Sequence, residues 1–142
     1  MSTAREVMTG DPTCIGEQET LEEAARKMRD LDVGALPICG EDQQLKGMLT
    51  DRDIVVKCLA EGGDPRSATA ASFAEGKPVT IGADDSVEEA LSTMVANGVR
   101  RLPVIDGHDL VGVVSQADIA RHLPEERVGE LVEAISKASP NN

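Results

Sequence analysis

Two short motifs in this sequence place a hydroxyl and a carboxylate three residues apart at the predicted start of a helix. They are Thr50-Asp-Arg-Asp53 and Ser115-Gln-Ala-Asp118. A hydroxyl at a helix start lies among free backbone N–H groups, where the helix dipole also favours an anion. The carboxylate supplies two acceptor oxygens that can hold a cis-diol in bidentate fashion. The same spacing is typical of ordinary helix capping, so the residues alone leave ligand binding and capping both open.

The two motifs belong to an internal repeat. With an offset of 66 residues, Pro12 aligns with Pro78, and residues 20–24 align with 86–90. One residue is then lost from a turn, and at an offset of 65 Asp53 aligns with Asp118. Matches in this order with a single one-residue gap indicate a duplicated unit.

Each copy of the repeat has the pattern β-α-β-β-α. The predicted first strands are residues 13–15 and 79–81, and the helices that follow begin with capping boxes at Thr20 and Ser86. Two apolar runs joined by a polar turn come next, as in a hairpin. The second helices of the two copies start near Asp51 and Gln116.

The first helix of each copy has one apolar face that should pack into a core. These faces comprise Leu21, Ala24, Ala25, Met28 and Leu31 in the first copy and Val87, Ala90, Leu91, Met94 and Val95 in the second. Both methionines are expected to be core filler. After Pro124, apolar residues recur at helical spacing, which predicts a third, terminal helix.

Composition limits the class of function. The 142 residues carry a net charge of −12 and only one aromatic side chain. That charge repels phosphate backbones and anionic lipids, and the rings that stack on single-stranded nucleic acid are missing. No apolar run approaches the ~20 residues that cross a bilayer, and the N-terminus is not of the signal-peptide type. We therefore expect a cytoplasmic protein that binds neither nucleic acid nor membrane.

Cysteine and histidine offer little redox, metal or catalytic chemistry. Three cysteines without a secretory leader are expected as reduced thiols, with a Cys14–Cys39 disulfide between neighbouring strands as the alternative. No Cys-x-x-Cys pair indicates a metal site, and His108 and His122 are expected at the surface. P-loop and dinucleotide signatures are absent, and neither histidine shares a motif with a nucleophile. The sequence thus predicts no catalytic residue, no metal ligand and no obligatory cofactor.

The motifs, taken in order, resemble those of a CBS-domain pair, also called a Bateman module. Each copy has an h-x-x-Leu-Pro-h strand, a Leu-x-Gly-h-h strand and a Ser/Thr-x-x-Asp helix start. These segments are residues 33–38, 45–49 and 50–53, and then 99–104, 110–114 and 115–118. Segments 34–39, 49–54 and 117–125 are also similar to small stand-alone actinobacterial CBS pairs of the hypoxic-response type.

The resemblance implies an α+β fold with repeat 1 at 6–61, repeat 2 at 72–124 and a C-terminal helix at 125–137. In the family, two repeats pack through their sheets about a pseudo-twofold axis and leave two clefts. Such pairs commonly form homodimers, and we expect one here. The expected interface is the terminal helix together with Leu21, Met28, Val87 and Met94.

The resemblance also implies a role for each motif residue. Asp53 and Asp118 would hold ribose, while Thr50 and Ser115 would hold phosphate. Family members grip adenine through the backbone of the first strand, between aliphatic walls. The corresponding backbone positions are Thr13, Cys14, Ile15, Val79, Thr80 and Ile81, and the walls are Ile38 and Val104.

Cations beside the motif decide whether phosphate is held well. Arg100 and Arg101 precede the Leu-Pro strand of the second copy, where the first copy has Gly34-Ala35. We therefore expect two unequal clefts. Further candidates are Arg52, Lys57, Arg121 and His122. The alternative is that these are solvated charges that offset a very acidic protein.

Two hypotheses of function follow. The first is a regulatory module that senses AMP, ADP, ATP or an S-adenosyl ligand and acts on a protein partner not named by the sequence. The second is a stress-response interaction protein with empty clefts and no small-molecule ligand.

Overall fold

The computed structural model describes residues 2–74 and 78–137, which form two compact units. Unit 1 comprises residues 2–12 and 79–137, and unit 2 comprises residues 13–74 and 78. In chain order the elements are α1 (Ala4–Val7), β1 (Thr9–Gly10), β2 (Ile15–Gly16), α2 (Leu21–Leu31), β3 (Ala35–Cys39), β4 (Leu45–Thr50), a π-helix (Asp53–Leu59), a 3₁₀ helix (Ala70–Phe73), β5 (Ile81–Gly82), α3 (Val87–Asn97), β6 (Arg101–Asp106), β7 (Asp109–Ser115), α4 (Gln116–Ala120) and α5 (Glu125–Lys137).

The sheet of unit 2 has the strand order β2-β3-β4. β3 pairs parallel with β2, with Ile15 opposite Ile38, and antiparallel with β4, with Leu36 opposite Leu49. The core of this unit is almost entirely aliphatic, as the near absence of aromatic residues requires. Its largest fully buried side chains are Ile15, Leu21, Leu36, Ile38 and Leu49.

Unit 1 repeats this arrangement and adds a strand and a helix. Its sheet has the order β1-β7-β6-β5, with Ile81 opposite Val104 and Leu102 opposite Val114. α5 packs on α3 and α4 and buries Leu131, which is 1% exposed. Unit 2 has no counterpart of α5 among its described residues.

Each unit is completed by the segment that precedes the other repeat. Residues 3–8 and 69–74 are equivalent at the offset of 66, yet α1 and the β1 strand that follows it pack in unit 1, while the 3₁₀ helix packs in unit 2. Thr3 forms a β-bridge with Ser86, and Thr69 forms the matching bridge with Thr20. The α1 side chain Arg5 is held by Asp106 at 2.9 Å, and this hydrogen bond raises the pKa of the arginine.

The structure confirms the α+β class, the two repeats and the terminal helix, and it corrects several details. Both first strands are shorter than predicted, because β2 begins at Ile15 and β5 at Ile81. The core positions of Met28 and Met94 are confirmed, with 6% and 0% exposure. Three residues assigned to the core are instead exposed: Ala25, Leu31 and Val95.

Helix length explains those exposed residues. α2 ends at Leu31, and Asp32 turns the chain in a left-handed conformation (φ 56°), so Leu31 lies in the last turn of its helix, as Val95 does in α3. A five-residue apolar stripe on an 11-residue helix is wider than the face that the sheet can bury.

β1 packs closely against β7 at Gly112, and this contact predicts different effects on stability for alanine substitutions at Gly112 and Gly129. A Cβ at Gly112 would lie 2.7 Å from the carbonyl oxygen of Thr9, so Gly112→Ala should displace β1 and lower the free energy of unfolding by about 1–3 kcal/mol. Gly129 on α5 has nothing within 4 Å of the same atom, so Gly129→Ala should raise that free energy by about 0.5–1 kcal/mol. Urea unfolding of both variants measures the two values, and equal effects would contradict the packing described here.

Candidate functional site

In unit 1, Ser115 and Asp118 form a reciprocal capping box where β7 passes into α4. The backbone N–H of Asp118 donates to Ser115 Oγ at 3.2 Å. Asp118 Oδ2 accepts from the backbone N–H of Ser115 at 2.8 Å and from its hydroxyl at 2.9 Å. The box satisfies donors that a helix start otherwise leaves free, which explains why this short helix begins here.

Unit 2 repeats the same joint at the π-helix. Thr50 N–H donates to Asp53 Oδ2 at 2.9 Å, and Asp53 N–H donates to Thr50 Oγ1 at 3.1 Å. Both motifs therefore cap a helix in the structure. A ligand at either motif would be held by groups that already form the capping hydrogen bonds.

Both motif carboxylates are buried, and each has one oxygen turned toward a cation. Asp53 and Asp118 are 5% and 8% exposed. Asp53 Oδ1 lies 3.3 Å from Lys57 Nζ, and Asp118 Oδ1 lies 2.7 Å from an Arg121 guanidinium nitrogen. Lys57 and Arg121 thus neutralise the motif carboxylates, and a diol that approaches Oδ1 has to compete with a mobile, exposed side chain.

The structure places both adjacent arginines beside the motif of unit 1. Arg101 is the residue opposite Ser115 in the β6–β7 pairing. Gln116 N–H donates to the carbonyl oxygen of Arg100 at 2.9 Å, which fixes the backbone of Arg100 at the start of α4. Both side chains are exposed, and neither takes part in an ion pair with any described residue. Unit 1 therefore has Arg101 paired with Ser115 and the backbone of Arg100 at the start of α4, so two arginines follow one another in the chain next to the motif.

The equivalent corner of unit 2 has the same backbone and no cation in those two places. Ala35 lies opposite Thr50, and Asp51 N–H donates to the carbonyl oxygen of Gly34 at 2.9 Å. The strand register and this backbone hydrogen bond are the same in the two units, so these two positions differ in side-chain charge.

The predicted adenine-binding positions differ in how far they are exposed to solvent. Thr13 and Thr80 are exposed, and Cys14 and Val79 are partly buried, so their backbone lies near the surface. Ile15 and Ile81 are core residues at 0% and 5% exposure. The role of aliphatic wall assigned to Ile38 and Val104 is wrong for this structure, because both side chains are 0% exposed and enclosed in the core of their own unit.

The backbone N–H groups of Gly16 and Gly82, the last residues of β2 and β5, donate to carboxylates that the sequence analysis did not single out. Gly16 N–H donates to Glu19 Oε2 at 2.6 Å, and Gly82 N–H donates to Asp85 Oδ2 at 2.9 Å. The signal for both was a glycine followed three residues later by an acid, repeated at the offset of 66. Lys27 then bridges Glu19 and the carbonyl oxygen of Cys14, at 3.2 and 3.3 Å.

Cys14 and Cys39 form a disulfide in the structure. The expectation of reduced thiols is therefore corrected at these two positions. Their Cα atoms are 5.8 Å apart, since β2 and β3 are neighbours and Gly16 is paired with Cys39. The third cysteine, Cys58, is a free and buried thiol.

A cavity of about 700 Å³ in unit 2 has the wrong sign for a phosphate. Acidic side chains dominate its walls: Glu17, Glu19, Glu23, Glu41 and Asp42. The pKa of Asp42 is lowered because the backbone N–H of Gln44 donates to its carboxylate, with Lys46 adding to the effect. The carboxylate therefore stays charged at neutral pH, and the cavity repels anions.

Other site types find no support in the described residues. Among residues 2–74 and 78–137, no three His, Cys, Asp or Glu side chains are grouped so as to hold a metal ion. Within the same residues, no helix is long and apolar enough to cross a membrane.

Comparison with known families decides the classification. The family model described as "CBS domain" matches residues 4–59 and again 71–125. The chain belongs to the CBS-domain family. The Ser/Thr-x-x-Asp joints described above are thus the helix starts of two CBS repeats.

The CBS pair has relatives of known sequence and structure. It is 54% identical over 135 residues to Hypoxic response protein 1 of Mycobacterium tuberculosis, with 95% of this chain and 94% of the relative covered. A crystal structure of Hypoxic Response Protein I with two coordinated zinc ions matches at a TM-score of 0.80 and 54% identity, covering 87% of this chain and all of that one.

More distant CBS pairs share the fold. The crystal structure of CBSX2 in complex with AMP has a TM-score of 0.73 at 18% identity and covers 86% of this chain and 96% of that one. The CBS pair of MJ0100 in complex with 5′-methylthioadenosine and S-adenosyl-L-methionine has a TM-score of 0.76 at 24% identity, covering 86% and 95%.

The dimer interface expected on the first helices is wrong in its residues. Leu21, Met28, Val87 and Met94 are all at most 6% exposed and pack inside their own units, so they cannot contact a second copy. The large apolar side chains that are exposed are Leu31, Val33, Val55, Leu59, Val95 and Val132.

The capping box of unit 1 predicts a stability loss for Asp118→Ala. The change removes the acceptor for two Ser115 donors at a buried joint, so the free energy of unfolding should fall by about 1–2 kcal/mol. Asp84→Ala is the matched control, because Asp84 is 85% exposed in its ion pair and should change stability by less than about 0.5 kcal/mol. Urea unfolding compares them, and equal stability of the two variants would refute the structural role of the box.

The disulfide predicts a loss of stability on reduction. It closes a loop with a sequence separation of 25, and the loop-entropy relation then gives about 3.5 kcal/mol of stabilisation. Unfolding with and without dithiothreitol should differ by that amount for the native chain. The double variant Cys14→Ser/Cys39→Ser should not respond to the reductant, and a native chain that does not respond would show that the two thiols are free.

Proposed function

We propose that this CBS pair is a regulatory module that binds an adenosyl ligand, and that repeat 2 is the copy that holds its phosphate or other anionic group. The observation that carries the proposal is the grouping of Arg100 and Arg101 with Ser115 and Asp118 around the start of α4. The AMP and S-adenosylmethionine complexes of distant CBS pairs support the ligand class.

In this proposal each group has a distinct part. The guanidinium groups would supply the charge-assisted donors that phosphate requires, and the Ser115 hydroxyl would add one more on turning its O–H from Asp118 Oδ2 to the phosphate. Asp118 Oδ1 would accept from the ribose hydroxyls once Arg121 turns to the ligand, which its 67% exposure permits. The adenine would be held by backbone from residues 13–15 or 79–81, and those positions stay predictions.

Binding rather than catalysis is the proposed activity, since both halves of the chain match a CBS-domain model. The output would pass to a protein partner in the cytoplasm, with a homodimer as the proposed assembly. A ligand can drive such an output only by its differential affinity for two states of the module.

The competing proposal is an interaction protein that binds no small molecule. One observation favours it: both motif carboxylates are already buried in capping boxes and paired with Lys57 or Arg121. The 54% identical relative is named for the hypoxic response, which supports a stress-related role under either proposal.

A thermal-unfolding panel separates the two proposals. AMP, ADP, ATP, S-adenosylmethionine and NADH are each added to the native chain, and a ligand at ~100 times its dissociation constant should add about 2.7 kcal/mol to the free energy of unfolding. The increment should vanish in Asp118→Ala and in Arg100→Gln/Arg101→Gln, and it should persist in Asp53→Ala.

Each result of the panel has a clear meaning. Loss of the increment in Asp53→Ala alone would assign the ligand to repeat 1 and refute the choice of repeat 2. No increment with any of the five ligands would refute adenosyl sensing and favour the interaction protein.

A further inference from the structure

A second cavity lies in unit 1, on the side of α4 away from the capping box. It has a volume of about 460 Å³, and α4, α5 and Arg100 form its walls. Cavities of roughly 300–1,000 Å³ are the usual size for small-molecule sites. None of the groups assigned to ribose in the proposed function lines it, because Asp118 belongs to the opposite side of the joint.

The walls are mainly apolar, and the polar lining residues are Arg100, Gln116 and Ser136. Ala117 and Ala120 contribute from α4, and Leu131 and Val132 contribute from α5. Leu131 is 1% exposed, whereas Val132 is 54% exposed, so the cavity runs from the core to the surface. The small alanine side chains leave the space that an apolar ligand would fill.

The polar end carries a single cation. Arg100 and Gln116 line it, and the backbone hydrogen bond between them holds the two residues at a fixed separation. The Arg100 side chain makes no ion pair with any other described residue. A guanidinium fork matches the two oxygens of a carboxylate, and the Gln116 amide can add a donor.

The first repeat shows why the cavity is specific to unit 1. The residues equivalent to Arg100, Gln116, Ala117 and Ala120 are Gly34, Asp51, Arg52 and Val55. Val55 is 56% exposed there, and no helix in the described part of unit 2 takes the place of α5. The cavity therefore arises from the terminal helix and two small residues, and its charge arises from Arg100.

We infer that this cavity binds a small amphipathic carboxylate, with its aliphatic chain between α4 and α5 and its carboxylate on Arg100. A single monoanion suits the site, because one guanidinium is available and the other lining residues are uncharged and, except for Gln116 and Ser136, apolar. The inference is separate from the adenosyl proposal, because the two sites share the side chain of Arg100 and differ in all their other groups.

The test is a titration followed by methyl NMR, with decanoate as the probe, kept below its micelle concentration. Saturable shifts are expected for the methyl signals of Leu131 and Val132. Arg100→Gln should weaken decanoate binding about tenfold by removing the charged anchor, and methyl decanoate should be weaker by a similar factor. Ala120→Leu fills the cavity and should abolish the shifts.

The controls separate this site from general adsorption and from the adenosyl proposal. Arg29→Gln removes an exposed guanidinium from unit 2 and should leave the decanoate affinity unchanged. Equal affinity of decanoate for the native chain and Arg100→Gln, or of decanoate and its methyl ester, would overturn the inference. So would the absence of saturable shifts in the native chain.

AMP is run in parallel on the same sample. If AMP itself gives saturable shifts of the Leu131 and Val132 methyl signals in the absence of decanoate, the cavity belongs to the adenosyl ligand and the inference is overturned; AMP that only weakens decanoate binding is competing for Arg100. If decanoate binds as described and AMP does not bind at all, the inference holds and the adenosyl proposal fails.

Discussion

The carboxylate buried at each strand-to-helix joint is the interaction on which the local structure depends. Asp118 accepts two hydrogen bonds from Ser115 and in return places its own N–H on the Ser115 hydroxyl. α4 is only five residues long, and helices shorter than roughly 12–15 residues are marginal without tertiary support. The cap, the end of β7 and the contact with α5 together supply that support. The start of α4, and with it the backbone of Arg100, is therefore fixed by one side chain.

The duplication places the same joint twice in different electrostatic surroundings. In unit 1 it is next to two arginines that have no ion-pair partner among the described residues, and in unit 2 the same backbone positions carry Gly34 and Ala35. Unit 2 also has the acidic cavity, which strengthens the repulsion that a net charge of −12 already imposes on anions. Attraction for an anion must then be local, and only unit 1 concentrates the guanidinium groups to provide it. Equal folds in the two repeats do not imply equal binding.

The sequence predicted the features that repeat in it and missed those that depend on where each segment packs. The duplication, the capping residues and the buried methionines all follow from local spacing, and they are confirmed. The sequence pattern did not show that residues 3–8 pack with the second repeat and residues 69–74 with the first. The two segments are equivalent to each other, and the alignment does not say which sheet each one joins. The exposure of Leu31 and Val95 was missed for a related reason. The apolar stripe of a helix shows which side faces the core, but the extent of the surface packed against the helix decides how much of that stripe is buried.

The candidate site divides in the same way. Thr50, Asp53, Ser115 and Asp118 were identifiable from spacing, and the expectation of two unequal clefts followed from Arg100 and Arg101. The burial of Ile38 and Val104 was not identifiable, since an apolar residue on a central strand reads the same whether it faces a cleft or a core. For Cys14 and Cys39, the number of cysteines favours thiols, whereas the expected adjacency of two strands favours a bond, so the sequence predicts the disulfide only as an alternative. The β2–β3 pairing brings the two residues close enough to form it.

α4 gives the two proposals a common physical basis. One side of this short helix carries the capping carboxylate, and the other side forms a wall of the cavity beside α5. A ligand on either side that binds only the ordered helix reduces the conformational entropy that the second ligand must remove. Such coupling is reciprocal in binding free energy, so each ligand would tighten the other unless both compete for Arg100. The two proposals imply this competition, because a guanidinium that holds a carboxylate in the cavity is not available to a phosphate at Ser115. The placement of Arg100 between the two sites therefore favours antagonism over cooperation, and the sign of the coupling is set by a single side chain.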